Sequence, residues 1–207
     1  MSTDGTRSMA QLGTLSDKRA RTVESILGAA MLIVAEEGIA ALSMSALATR
    51  AGVSRQTLYN YFPDVDAVLA GMVAMGDAGT AELAGRLEAS SDPRVGLDLF
   101  VSTAVESVRS GHPSPMAISA ALPAELRQAM QEHEQQAEGV LVELLRRGIA
   151  DGVFRADLDP ELDGPILYRM AMASADLVRR PWVDAAVLAR RLSADLLRIV
   201  AVAPTHD

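Results

Sequence analysis

The chain has 207 residues, a formal net charge of −8 and no cysteine, so disulfides and thiolate metal sites are excluded. Its N-terminus lacks the apolar core of a signal peptide, and no apolar run approaches the roughly 20 residues of a membrane helix. We therefore expect a cytoplasmic protein that makes no contact with membranes. Residues 1–16 are polar and are expected to form a disordered tail.

Apolar residues recur at helical spacing along the chain, without strand alternation or an internal repeat. The first helix is expected to start around Lys18 to Arg21 and to end at Gly38, because glycine commonly stops a helix. Its buried face is predicted to consist of Val23, Ile26, Leu27, Ala30, Ile33 and Val34.

Residues 43–62 predict two short helices joined by a tight turn. Ser43 and Ser54 have the side chains that cap helix starts, and Gly52 tolerates the left-handed backbone of a sharp reversal. Leu58 is expected to point inward, whereas an outer polar face carries Arg55, Gln56, Thr57, Tyr59 and Asn60. This pattern predicts a helix-turn-helix that reads DNA, although an ordinary helical hairpin is an alternative on spacing alone.

A longer series of residues, from about 21 to 69, resembles the TetR family of transcriptional regulators. The matching positions are Arg21, Ile26–Ala30, Glu37–Gly38, Leu42–Met44, Leu47–Ala48, Arg50–Ser54, Thr57–Tyr59 and Tyr61–Pro63. The segment Asp151–Pro160 is similar to the loop that commonly precedes the last two helices of such proteins. The resemblance implies a dimer with a variable ligand-binding part, and the rest of the chain matches only in layout.

The chain departs from the family pattern after Phe62 and Pro63, where a Lys followed by a Glu is usual and the Lys commonly approaches DNA phosphate. Here these positions hold Val65 and Asp66, and Asp64 adds another negative charge. We expect weaker nonspecific DNA binding than a relative with the lysine would show.

Charge is unevenly distributed along the chain. Residues 1–62 carry six Lys or Arg and five Asp or Glu, which gives a net charge of +1. Residues 63–207 carry 13 Lys or Arg and 22 Asp or Glu, which gives a net charge of −9. The acidic part would repel a polyanion, so we expect a small DNA footprint and strongly salt-dependent binding. Lys18, Arg19 and Arg21 could meet phosphate, although a solvated helix start is the alternative.

The predicted DNA contacts fall into two groups. Arg55 and Gln56 are expected to read bases, since arginine can engage guanine and glutamine can engage adenine. Thr57 and Tyr59 are expected to hold the backbone, with Asn60 able to do either. The complete predicted set is Lys18, Arg21, Ser43, Ser45, Ser54, Arg55, Gln56, Thr57, Tyr59 and Asn60.

Residues 64–203 predict a larger helical domain for effector binding and dimerisation, after a DNA-binding domain at 17–63. Helices are expected at about 65–89, 93–108, 116–121, 123–150, 160–180 and 183–200. Gly76 and Gly79 lie within the first of them and could mark a kink, since each glycine costs about 1 kcal/mol relative to alanine there.

Two surfaces are predicted in this domain. Adaptable methionines and a few rings favour a cavity for an apolar or amphipathic effector, with plain core packing as the alternative for each. Its expected lining is Met72, Met75, Phe100, Met116, Met130, Tyr168 and Met170. A dimer interface is expected from apolar stripes that contain small residues. It is predicted to include Ile166, Met170, Ser174, Leu177, Val187, Ala194 and Leu197.

Enzyme chemistry has little support in the sequence. The histidines at 112, 133 and 206 are far apart, no metal-binding His motif or phosphate-binding glycine loop is present, and no cofactor, metal or catalytic residue is predicted. Glu132, His133 and Glu134 are expected to form a solvated face.

We therefore expect an all-α, homodimeric regulator that binds double-stranded DNA. It is most simply a repressor released from a palindromic operator by a small effector. The alternatives are a helical module that binds only proteins and, less favoured, a helical-bundle enzyme.

Overall fold

The computed structural model describes residues 4–112 and 124–202, with side chains from residue 17 onward except at Glu125. This part is helical, with one isolated antiparallel bridge between Phe154 and Ala201. The helices are α1 Asp4–Glu37, α2 Met44–Ala51, α3 Arg55–Tyr59, α4 Val65–Glu88, α5 Pro93–Arg109, α6 Ala124–Ala150, α7 Pro160–Ala175 and α8 Ala185–Val200, with 3-10 turns at Ile39–Ala41 and Asp176–Arg179. The all-α fold class is confirmed.

Two helix limits differ from the predictions. The first helix begins at Asp4, within the stretch 1–16 that was expected to be disordered. Extending an existing helix costs little, because each added residue also adds a hydrogen bond. The seventh helix ends at Ala175 and continues as a 3-10 turn, whereas the pattern extended it to residue 180. The predicted helix at 116–121 lies outside the described residues.

The chain divides into two compact units, residues 1–72 and 73–207. This division falls inside α4 rather than at the predicted boundary between residues 63 and 64. One helix therefore begins in the first unit and ends in the second.

The core of the first unit has the predicted helical spacing. The face of α1 that carries Ile26, Ala30, Ile33 and Val34 is buried, and Leu47 of α2 and Leu58 of α3 are at most 1% exposed. The second unit has its main core between α5, α6, α7 and α8, with Val101, Leu141, Leu145, Ala171, Leu196 and Val200 at its centre.

The Asp-Pro starts of two helices in the second unit are confirmed. The Asp92 carboxylate accepts a hydrogen bond from the Arg94 N–H at 2.8 Å, and Asp159 accepts from Glu161 at 3.1 Å. In both helices proline occupies the first turn, where its missing N–H removes no intrahelical bond.

Helix α4 corrects one expectation. By length and composition it is apolar enough to cross a membrane, although only 28% of its most apolar window is buried. The helix also carries the charged residues Asp66, Asp77 and Glu82. Core helices of soluble proteins meet the same criterion, so the composition of α4 is weak support for a membrane span.

Candidate functional site

The two serine caps and the glycine turn form as the sequence predicts. Ser43 Oγ accepts a hydrogen bond from the Ala46 N–H at 3.2 Å, and Ser54 Oγ accepts from the Thr57 N–H at 3.0 Å. Between them Gly52 has φ of +67°, a left-handed conformation that costs glycine little. Both hydroxyls thus cap helix starts, and Gly52 permits the sharp turn between α2 and α3.

Helix α3 has one buried side and one exposed side. Leu58 is fully buried, whereas Tyr59 is 51% exposed. The other polar residues of the predicted outer face are exposed too, except for Thr57, which is half-buried with its hydroxyl 2.8 Å from that of Ser54. The short helix therefore presents a row of hydrogen-bonding groups to solvent.

Hydrogen bonds already order this outer face. The Arg55 guanidinium donates to Ser45 Oγ of α2, and Gln56 Nε2 donates to Asn60 Oδ1 at 3.2 Å. Ser45, predicted as a DNA contact, therefore also holds Arg55. The remaining guanidinium N–H groups are available in the planar arrangement that suits bidentate recognition of guanine.

The cations of the first unit differ in their surroundings. Arg50 of α2 forms ion pairs with Glu36 and, at 3.7 Å, with Glu37, and the hydrogen bond to Glu36 raises the pKa of its guanidinium. Arg19 lies over the ring of Tyr61, 5.2 Å from the centroid. Lys18 and Arg21, both predicted phosphate contacts, are exposed on α1.

Residues 26–72 match the family model of bacterial regulatory proteins, tetR family. These are the residues that form the capped helix pair and its core. They are a TetR-family DNA-binding domain. The TetR family consists of transcriptional regulators, so the function predicted from the outer face of α3 is that of the family.

Solved structures similar to most of the chain include regulators of the TetR family. PfmR, a TetR-family transcriptional regulator from Thermus thermophilus, is 25% identical, with a TM-score of 0.68 over 84% of this chain and 97% of that one. A TetR-family regulator from Agrobacterium tumefaciens is 18% identical, with a TM-score of 0.73 over 88% and 99%. FadR of Bacillus subtilis, solved with stearoyl-CoA, is 21% identical, with a TM-score of 0.65 over 84% and 96%. Among curated proteins no sequence matches.

In contrast to the TetR-family domain, the second unit does not bring the predicted effector residues into one group. Phe100 and Tyr168 lie in the main core with ring centroids 6.3 Å apart, whereas Met170 is 43% exposed. Met75 and Met130 are half-buried. Met72 is buried at the end of the first unit, and Met116 lies outside the described residues. Burial raises the pKa of Tyr168 to about 12, and the negative charges of Glu134 and Glu138 contribute to a lesser extent.

An open groove of about 530 Å³ lies between the end of α4 and α6. Its lining comprises Ala84, Leu87, Glu88, Val140, Glu143, Leu144, Arg146, Arg147 and Ala150. The Arg147 guanidinium closes one side by donating to the Leu87 carbonyl at 2.7 Å. Of the predicted effector residues that the structure describes, none lines this groove.

His133 corrects the expectation of a solvated face. It is 7% exposed, and its Nδ1 is 2.8 Å from an oxygen of Asp77 on α4. His112, after α5, has its ring centroid 6.2 Å from that of His133, and burial together with His133 and Arg179 lowers the pKa of His112 to about 4. Position 133 continues the apolar spacing of Met130 and Ala137 along α6, which was the available signal in the sequence.

Several of the predicted dimer residues have exposed apolar side chains. Ile166, Met170, Leu177 and Val187 are 37–55% exposed, while Ser174, Ala194 and Leu197 are half-buried. Trp182, between the 3-10 turn and α8, is 74% exposed and was not predicted to belong to the dimer interface. Large apolar groups that remain in water are typical of surfaces that another chain covers.

Proposed function

We propose that the chain is a homodimeric transcriptional repressor that binds a palindromic operator in the cytoplasm and releases it on binding a small effector. The observation that carries this proposal is α3, whose inner side is locked by Leu58 and whose outer side presents a preformed set of hydrogen-bonding groups. A helical pair that served only packing would not need this polar face.

In this proposal α3 enters the major groove. Arg55 reads a guanine, with Ser45 holding its guanidinium, and Gln56 reads an adenine. Tyr59 and Asn60 contact the backbone or neighbouring base edges, so that phosphate contacts set the register and base contacts set the sequence.

Dimerisation follows from the symmetry of the target. A palindromic site presents two equivalent half-sites, so its reader must be two-fold symmetric. The exposed apolar residues of α7 and α8 are the surface that we assign to this interface, with Trp182 as an additional anchor.

The effector is proposed to be apolar or amphipathic. Two of the similar proteins are associated with such ligands, since FadR of Bacillus subtilis was solved with stearoyl-CoA and KstR2 of Mycobacterium tuberculosis is a ketosteroid transcriptional regulator. Helix α4 belongs to both units, which supports it as the element that a ligand of the second unit would act on. A ligand shifts such an equilibrium only by its different affinities for the two states.

The test is selection of genomic fragments by the purified dimer, alongside an Arg55→Ala, Tyr59→Ala double variant. Enrichment of a palindrome by the wild type alone supports the proposal and identifies the operator. If neither protein enriches DNA at low salt, although both are folded and dimeric, the proposal fails and a protein-binding helical module takes its place.

A further inference from the structure

Positive charge is scarce around α3. The sequence has no Lys or Arg between Arg55 and Arg86, while Asp64 and Asp66 directly follow the helix-turn-helix. Arg50 is neutralised by its ion pairs with carboxylates of α1. Among the first-unit residues whose side chains the structure describes, the remaining cations are Lys18, Arg19 and Arg21 of α1.

Arg19 is the candidate that the structure fixes in place. Its guanidinium carbon lies 5.2 Å from the centroid of the Tyr61 ring. Tyr61 lies two residues after the end of α3, and its backbone N–H donates to the Leu58 carbonyl at 3.0 Å. The backbone of Tyr61 thus belongs to the turn that ends α3, and the cation–π contact places Arg19 beside that turn.

Stacking leaves the guanidinium able to bind an anion. A cation over a ring face is attracted through the face, while the N–H donors point outward along the guanidinium plane. Arg19 is exposed, so these donors reach solvent. Holding the long side chain in advance also lowers the rotamer freedom that it would lose on meeting a phosphate.

We infer that Arg19 is a DNA-phosphate contact next to the recognition helix and that Tyr61 is its positioning residue. The inference rests on the proposed function. The sequence names Arg19 as one of three cations that could meet phosphate, whereas the structure singles it out and adds Tyr61 as the group that holds it. Arg86 of α4, an exposed cation outside the predicted DNA-contact set, serves as the matched control.

The experiment measures operator affinity by fluorescence anisotropy from about 50 to about 200 mM salt. We expect Arg19→Gln to weaken binding to the operator and to a scrambled duplex by the same factor. The slope of log affinity against log salt should become shallower by about one for each protomer bound. Arg86→Gln removes the same charge from α4 and should leave both the affinity and the slope unchanged.

Tyr61 variants test the positioning role. Tyr61→Phe keeps the ring and should bind operator like the wild type. Tyr61→Leu should lose part of the affinity that Arg19→Gln loses. The double variant Arg19→Gln, Tyr61→Leu should bind only slightly more weakly than Arg19→Gln alone. Arg19→Lys, which keeps the charge, should recover most of the salt slope. Thermal unfolding checks that every variant is folded.

Three outcomes would overturn the inference. The first is an unchanged slope in Arg19→Gln, and the second is an equal loss in Arg86→Gln. The third is additive loss in the Arg19, Tyr61 double variant. If the wild type binds operator and Arg19→Gln binds equally well, only the Arg19 contact is refuted, whereas absence of wild-type binding refutes the proposed function as well.

Discussion

The two units of this chain differ in how directly their residues indicate a role. In residues 1–72 the caps, the turn and the exposed side chains of α3 all serve one local arrangement, within about twenty consecutive residues. In residues 73–207 the polar groups of most interest come from separate helices, such as Asp77 and His133. A site built from neighbouring residues can be recognised as a motif, whereas one assembled by packing cannot.

The largest expected effect separates the two sides of α3. Leu58→Ala should lower the free energy of unfolding by about 2–5 kcal/mol, because it leaves a cavity at a fully buried position. Tyr59→Ala, at the adjacent exposed position, should keep stability within about 1 kcal/mol of the wild type. Operator binding should be weaker in both variants. Chemical denaturation should show a loss of stability in Leu58→Ala only. A large loss of stability in Tyr59→Ala would contradict the assignment of the two sides.

The second prediction concerns pH and the second unit. Burial lowers the pKa of His112 from its ordinary 6.5 to about 4, so the unfolded chain binds more protons between these values. Above about pH 6.5 His112 is neutral in both states and does not lower the free energy of unfolding. As the pH falls towards 4, protonation of the unfolded chain lowers that free energy by an amount on the order of 3 kcal/mol. His133 and Arg179 lie near His112, and Asp77 is hydrogen-bonded to His133.

Denaturation between pH 4 and pH 7 measures this effect. His112→Asn should remove most of the dependence that His112 contributes, giving a flatter curve than the wild type. Equal curves for the two proteins would mean that His112 is not held neutral by its surroundings.

Two glycines of α4 provide a matched pair. A Cβ at Gly76 would lie 2.8 Å from Cε1 of the buried His133, whereas a Cβ at Gly79 would meet nothing within 4 Å. Gly79→Ala should therefore stabilise the protein by up to about 1 kcal/mol, through helix propensity alone. Gly76→Ala should destabilise it by about 1–3 kcal/mol, because His133 must move away from Asp77.

Effector response adds a second measurement on this pair. If α4 transmits the response, replacing both glycines should alter effector-induced release more than operator affinity. An unchanged response in the double variant would remove α4 flexibility from the mechanism. The same sign of stability change in both single variants would contradict the close approach at Gly76.

The smallest predicted effect tests a cap. Ser54→Ala removes the hydroxyl that accepts from the Thr57 N–H and should cost about 1 kcal/mol of stability. Operator affinity should fall with it, since the start of α3 orients Arg55. Ser54→Asp retains a capping acceptor and should restore stability without restoring affinity, because it adds a negative charge near phosphate. Full affinity in Ser54→Asp would show that this position lies away from the DNA backbone.

Sequence reasoning succeeded where the deciding interactions are short in range. Ser43, Gly52 and Ser54 act on groups within a few residues, and the 3.6-residue period of α1 and α5 directly marks the buried face. It failed at His133, because two glutamates beside it suggested solvent while its own position continued an apolar stripe. It also failed for α1, whose start at Asp4 follows from helix extension rather than from hydrophobic pattern.

The sequence by itself determined the helical class, the helix-turn-helix with its caps, and the family to which that domain belongs, because each depends on local backbone preferences and on spacing within a single segment. The tertiary structure alone decided which polar groups meet across helices. Arg55 with Ser45, Arg19 with Tyr61, and His133 with Asp77 are separated by 10, 42 and 56 positions in the chain. Such pairs depend on how helices pack, and no local pattern encodes the distance between their side chains.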